Sequence, residues 1–196
     1  MNNIILASSS PRRKILLKAL LNNFGLKFII KPANIVEYIE KGEKNYSLLV
    51  RNLAQRKAIQ VAKRNKGIII AADTIVVHRN IILGKPNTRE DAFYTLRLLS
   101  GKWHKVFTGL YIMDTENLKR RYSVCEVTKV KFRRLVNKEI EFYVNNGSPF
   151  DKAGAYGIQD DFGSTFIERI EGDYFNVVGL PLLKTYIGLK KIINFK

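Results

Sequence analysis

The sequence predicts a mixed α/β fold, a twisted mixed sheet flanked by helices, and three observations carry that expectation. Strand-length apolar runs are interleaved with segments of helical periodicity along the chain, without an internal repeat. The run Gly67-Ile68-Ile69-Ile70-Ala71-Ala72-Asp73-Thr74-Ile75-Val76-Val77 is β-branched and nearly unbroken, which suits a central strand buried on both faces. Near the start, Ile4-Ile5-Leu6-Ala7 passes through Ser8-Ser9-Ser10-Pro11-Arg12-Arg13 into Ile15, Leu16, Leu17, Leu20 and Leu21, which reads as strand, polar turn and helix. At 196 residues the chain has the size of one domain, expected to span 1–196, or of two lobes sharing one core.

The elements follow in order. Ser10 is a suitable N-cap and Pro11 suits the first helical position, so the first helix has a clear start. Residues 27–30 form a second short strand. Residues 45–66 read as a basic amphipathic helix whose buried stripe is Leu48, Leu49, Leu53, Ala54, Ala58 and Val61. After the strand over 67–77 and the turn Gly84-Lys85-Pro86, a helix opens near Asn87-Thr88-Arg89-Glu90 and stops at Ser100-Gly101. Strands are expected over 106–113 and 122–132, then a short helix over 137–144 ending at Asn145-Asn146-Gly147. A Gly-rich loop from Lys152 to Gly157, a strand near 165–170 and a last helix near 181–193 complete the chain.

Composition removes several classes. With 46% hydrophobic and 26% charged residues the chain can bury a core and is not a disordered polycation. No apolar run reaches the roughly 18 to 20 residues that a membrane-spanning helix needs. The first residues carry no positively charged segment ahead of an apolar one, and the single cysteine, Cys125, has no internal partner, so the expectation is a soluble cytoplasmic protein. Charge is unbalanced: 34 Lys and Arg face 17 Asp and Glu, a net +17. Residues 1–66 hold 14 bases against 3 acids, whereas 151–173 holds six carboxylates against Lys152 and Arg169. Such an excess fits either a solvated basic surface or a polyanionic partner, nucleic acid or polyphosphate.

Familiar nucleotide signatures are missing. Leu83-Gly84-Lys85-Pro86 lacks the Ser or Thr and the earlier Gly of a P-loop, and Gly154-Ala155-Tyr156-Gly157 is a fragment of a dinucleotide fingerprint. With two histidines and one cysteine, a zinc site or a Cys/His nucleophile would use nearly every candidate; Cys125 reads as a strand-core thiol and His104 as a strand or turn residue.

Three segments carry chemistry, each with a plainer alternative. A helix start bearing Ser8, Ser10, Arg12 and Arg13 suits an anion, or is only a capped helix with solvated arginines. Asp73 inside an apolar strand must be paired, bind a cation or emerge into a cleft. Lys85, beyond a turn, is placed to return beside it, and an acid next to a lysine suits metal-dependent attack on phosphate; a structural ion pair is the alternative. The segment Asp151-Lys152-Ala153-Gly154-Ala155-Tyr156-Gly157-Ile158-Gln159 combines small residues that admit a ligand, the flat face of Tyr156 and the donor and acceptor of Gln159, or is a plain loop.

Together and in this order, these segments resemble the Maf family of nucleotide pyrophosphatases, also called septum formation inhibitor proteins. The matching pieces are Leu6-Ala7-Ser8-Ser9-Ser10-Pro11-Arg12-Arg13, Leu53-Ala54 with Lys57-Ala58, Ala72-Asp73-Thr74-Ile75-Val76, Leu83-Gly84-Lys85-Pro86, Leu99-Ser100-Gly101 with His104, Thr108-Gly109, Lys152 to Gln159, and Val177-Val178-Gly179-Leu180-Pro181-Leu182. The resemblance implies an elongated, two-lobed, ITPase-like fold with a central cleft, and hydrolysis of a nucleoside triphosphate to the monophosphate and pyrophosphate with Mg²⁺ or Mn²⁺. It implies that Asp73 is the catalytic proton acceptor and a metal ligand with Glu37, and that Ser8, Arg12, Arg13, Lys57 and Lys85 hold the triphosphate. Arg12, Thr74 and Gln159 fall on positions of base selection in members acting on dTTP and UTP, and modified pyrimidine triphosphates are included in the expectation. Members acting on 7-methyl-GTP carry Gln after the catalytic Asp and Glu at the place of Gln159. The chain departs from the family pattern at Asp160-Asp161 and at Asp173. The implied partners are the nucleotide and a second copy of the chain as a homodimer, with no membrane and no nucleic acid. The competing readings are a 7-methyl-GTP pyrophosphatase of the same family and a basic nucleic-acid-binding module.

Overall fold

The computed structural model describes residues 3–35, 44–147, 149–160 and 162–193. It is a mixed α/β structure built on one seven-stranded sheet in the order β2-β1-β3-β5-β6-β7, with β4 paired to β3. The chain divides into two compact units: Met1–Asp73 with Thr108–Glu126 and Gly179–Lys196, and Thr74–Phe107 with Val127–Val178. Three strands contribute to both, namely β3 (Ile68–His78), β5 (Trp103–Asp114) and β6 (Arg121–Phe132). Among the described residues no helix is long and apolar enough to cross a membrane.

In the first unit, β1 (Ile4–Leu6) lies parallel between β2 (Phe28–Ile30) and β3. Parallel neighbours need crossovers, and α1 (Pro11–Asn22) and α2 (Tyr46–Ala62) lie between the paired strands. The core joins Ile5, Ala7, Ile69 and Ala71 of the sheet to Ala54, Ala58 and Val61 of α2. α2 sits very close to β5: a Cβ added at Gly109 would lie 2.2 Å from the Val50 carbonyl oxygen, so only hydrogen fits there. The helix buries Tyr46, Val50, Leu53, Ala54, Ala58 and Val61. Leu48, expected inside, is exposed, because it lies about 200° round the helix from the buried Val50. The last helix, α6 (Leu182–Ile192), packs against α1.

In the second unit, β3 turns back into β4 (Ile81–Leu83), a strand the sequence did not signal. The two connecting residues, Arg79 and Asn80, have φ of 48° and 65°, the conformation that tight hairpins require, without the glycine that usually announces it. α3 (Arg89–Leu99) begins at a capping box: the Asp91 N–H donates to Thr88 Oγ1 at 3.1 Å and the Thr88 N–H to Asp91 Oδ2 at 3.2 Å. α4 (Asn137–Asn146) is anchored by Glu139, which accepts the Val136 N–H at 3.0 Å and two Arg133 bonds at 3.0 and 2.7 Å. β7 (Ile167–Glu171) runs antiparallel to β6. The short α5 (Tyr174–Val178), also unforeseen, is tied down by buried Asn176, whose Nδ2 donates to the Val106 carbonyl at 3.1 Å and to Thr128 Oγ1 at 3.0 Å.

His104 lies in β5, as expected, and is buried. Its Nε2 is 2.8 Å from the Tyr156 hydroxyl, while Phe132 and Tyr156 meet its ring edge-on. Cys125 is half-buried in β6 rather than a core thiol, and its partial burial raises its pKa. Burial, with a smaller contribution from His78, holds the His104 imidazole down at about 3, below its ordinary 6.5. The folded chain therefore refuses a proton that the unfolded chain accepts as pH falls from 6.5 to about 3. This contribution is fully present above 6.5 and is lost across that window, by up to about 1.4 kcal/mol per pH unit. Urea unfolding at about pH 7 and about pH 4.5 should show His104→Gln losing less stability between the two than the wild type; equal losses would contradict the assignment.

Candidate active site

The first unit places Ser8, Arg12, Arg13, Lys57 and Asp73. β1 delivers the chain to Ser8, which is buried, and Ser10 caps α1 by accepting the Arg13 N–H at 3.5 Å. The Ser10 N–H donates to Ser8 Oγ at 3.2 Å. Arg13 Nη1 donates to the same hydroxyl at 3.3 Å, and its Nε donates to the Gly179 carbonyl at 2.9 Å. The start of α1 is thereby fastened to a residue 166 positions away, just ahead of α6. The hydroxyls and guanidinium are held in place by protein contacts, which removes much of the flexibility an arginine would otherwise lose on meeting an anion. Arg12 is half-buried in the first turn of α1.

Asp73 is the acid inside the apolar strand, and it is buried. Lys57, from the sheet-facing side of α2, forms the ion pair with Asp73 Oδ1; the two side chains are only 12% and 6% exposed. The sequence expects Lys85, beyond the turn, beside Asp73; the ion pair described here brings Lys57 of α2 to the acid. The reason is the close seat of α2, where Ala54 and Ala58 flank Lys57 and present almost no bulk toward the strands. The ammonium offsets the cost of placing a carboxylate in a poorly solvated strand.

The second unit places Thr74, Lys85 and Gln159. Thr74 follows Asp73 directly and is the one residue of β3 that is not fully buried. Lys85 is exposed in the turn after β4, and that turn is tied to the Gly-rich loop where the Gly154 N–H donates to the Gly84 carbonyl at 3.1 Å. Gln159 is exposed near the end of the same loop. Tyr156, expected to offer a flat face, is instead buried against His104 and Phe132, and burial raises its hydroxyl pKa. The Lys152 ammonium is buried between Asp151 Oδ1 at 2.7 Å and Asp160 Oδ2 at 3.3 Å. Glu37 and Asp161 lie outside the described residues. The Gly179 contact to Arg13 and the carboxylate clamp on Lys152 were not foreseen, since neither leaves a signal in local spacing.

The donor set bears on a metal. Among the described residues no group of three or more His, Cys, Asp or Glu side chains is disposed to hold an ion. Asp73 by itself does not make an all-protein cage; its carboxylate would suit Mg²⁺ or Mn²⁺, which one or two carboxylates, waters and substrate phosphates hold in common.

Breaking a buried pair by removing one partner costs about 3 to 5 kcal/mol. Lys57→Met should accordingly destabilise the protein by about 3 kcal/mol in denaturant unfolding, and adding Asp73→Asn should recover part of that loss by removing the carboxylate's charge. A Lys57→Met protein as stable as the wild type would show that the pair does not hold the acid in place.

The family model described as Maf-like protein matches residues 3–192. The chain is 46% identical over 184 residues to the dTTP/UTP pyrophosphatase of Thermosipho melanesiensis, covering 94% of each. It is 48% identical over 183 residues to the protein of the same name from Thermosipho africanus, covering 93% of this chain and 90% of that one. Against the dTTP/UTP pyrophosphatase of Aquifex aeolicus the identity is 43% over 190 residues, 96% of this chain and 95% of that one. Among solved structures it is similar to a HAM1 protein from Coxiella burnetii, with 19% identity and a TM-score of 0.49 over 69% of this chain and 75% of that one. The chain belongs to the family of Maf-like proteins.

Proposed function

We propose that this protein hydrolyses nucleoside triphosphates, dTTP and UTP foremost, to the monophosphate and pyrophosphate, with Asp73 as the general base. The observation that supports this reading most is a buried carboxylate paired with Lys57 in the apolar strand of a chain 43–48% identical, over nearly its whole length, to proteins named dTTP/UTP pyrophosphatase. A buried acid is a liability for stability and an asset for chemistry.

In this mechanism Lys57 orients Asp73, which takes the proton of the attacking water. The water oxygen joins phosphorus as the anhydride P–O bond breaks, and pyrophosphate leaves. Ser8, Arg13, Lys57 and Lys85 bind phosphate oxygens, and Arg13 acts from the position that Ser8 and Gly179 give it. Asp73, with Glu37 as a second candidate, would hold a divalent Mg²⁺ or Mn²⁺. That ion supplies charge neutralisation on the phosphates and a lowered water pKa. Arg12, Thr74 and Gln159 select the base. The neutral amide of Gln159 can accept from N3–H and donate to O4, the edge that thymine and uracil share.

A pyrophosphate-release screen over dTTP, UTP, CTP, GTP and 7-methyl-GTP, with Mg²⁺ or Mn²⁺, tests the proposal. The kcat/KM for dTTP and UTP should exceed that for the other nucleotides by at least about tenfold. Preference for 7-methyl-GTP would move the chain to the other subgroup, and absence of pyrophosphate from every nucleotide would overturn the hydrolase reading.

A further inference from the structure

Gln159 stands in a turn whose geometry is controlled by its neighbour. The Asp160 N–H donates to the Gly157 carbonyl at 3.2 Å, closing the turn, and the Ser164 N–H donates to the Asp160 carbonyl at 2.9 Å. The Asp160 carboxylate folds back over the same turn, so that a Cβ at residue 157 would lie 2.4 to 2.5 Å from its atoms; glycine is required there by that close approach.

Two side chains from outside the turn hold the carboxylate. The Tyr143 hydroxyl, from α4, donates to Asp160 Oδ2 at 2.6 Å, and Lys152 Nζ lies 3.3 Å from the same oxygen. The Gly157 backbone also hydrogen-bonds to the Tyr143 hydroxyl, so one phenol group spans both ends of the turn. Tyr143 is about 1% exposed and Lys152 about 6%, whereas Gln159 is exposed. Burial and the Asp160 carboxylate both push the Tyr143 hydroxyl above its ordinary pKa, which keeps it a donor. Charge-assisted bonds of this kind, here from buried donors to a half-buried carboxylate, are among the stronger ones a side chain makes.

We propose that Asp160 is a positioning residue for base selection: clamped by Tyr143 and Lys152, it fixes the 157–160 turn and so the place from which Gln159 reads the base. The proposal rests on the pyrimidine triphosphate pyrophosphatase reading above. Asp160 does not touch the reacting atoms in this account. An exposed glutamine has three rotatable side-chain bonds, and a mobile backbone beneath it would cost the base contact most of its discrimination. A contact made to the base equally in ground and transition states governs KM rather than kcat.

The test is pyrophosphate release from dTTP and from CTP by the full-length wild type and by Asp160→Ala, Asp160→Asn and Tyr143→Phe, with amide hydrogen exchange over 157–164 on each free protein. Asp160→Ala should raise KM for dTTP about tenfold, lower the dTTP-over-CTP ratio of kcat/KM by a similar factor, and leave kcat within about twofold. Tyr143→Phe should move the same quantities in the same direction, by about threefold, and exchange should quicken in both variants. Asp160→Asn, whose amide oxygen still accepts from Tyr143, should recover most of the selectivity. Where Asp160→Ala fails to fold, Tyr143→Phe decides. Unchanged KM and selectivity in the folded variants, or a fall in kcat alone, would overturn the positioning role while leaving the hydrolase reading intact. A wild type that releases no pyrophosphate from dTTP or UTP would instead overturn that reading, and this role with it.

Discussion

The ion pair between Lys57 and Asp73 is the constraint on which the first unit is organised. A bare carboxylate in the middle of β3 would face a large desolvation cost, and the ammonium that offsets it has to come from outside the strand. Supplying it from α2 demands that the helix lie almost against the sheet. The chain meets that demand with Ala54 and Ala58 on either side of Lys57, and with Gly109, whose missing side chain lets the Val50 carbonyl come close. Small residues at these positions are therefore part of how the acid is held, as well as part of the core. An apolar residue at 73 would suit the strand better. An acid there, paired with Lys57, departs from what packing alone would select.

The second unit uses its acids differently. The stretch from 151 to 173 carries six carboxylates, and several of them serve the fold. Asp151 and Asp160 close on Lys152, and the Asp173 side chain accepts the Phe175 N–H at 2.8 Å at the start of α5. Glu171 meets Lys129 and Arg169 at 3.4 Å each on the open face of β7, where such pairs contribute little.

Much of this was legible in the sequence because it rests on local pattern. The strand over Ile68–His78, the Ser10 cap with Pro11, and the Thr88 start of α3 each follow from neighbours within four residues. The strand β4 was not, because its turn is made by Arg79 and Asn80 in a conformation that glycine normally signals. Nor was α5, which is pinned by Asn176 to distant Val106 and Thr128 rather than by an apolar stripe. In α2 the periodicity was right and its phase slightly off, so Val50 faces inward where Leu48 was expected. At the site, Asp73 announced itself by being an acid in an apolar run, while its partner did not. Lys57 lies 16 residues before the acid on another element, and only the seating of α2 brings it there. Tyr156 misled for the opposite reason: an aromatic flanked by glycines looks available, but three-dimensional packing puts it against His104.

The most direct test of the whole account is to measure pyrophosphate release from dTTP by Asp73→Asn, on protein shown by cooperative unfolding to keep its fold. Asparagine preserves the shape of the side chain and an acceptor for Lys57 but cannot take the proton from water. The folded Asp73→Asn protein should lose at least about a hundredfold in kcat. A folded Asp73→Asn protein that releases pyrophosphate at a rate within a few-fold of the wild type would contradict this expectation.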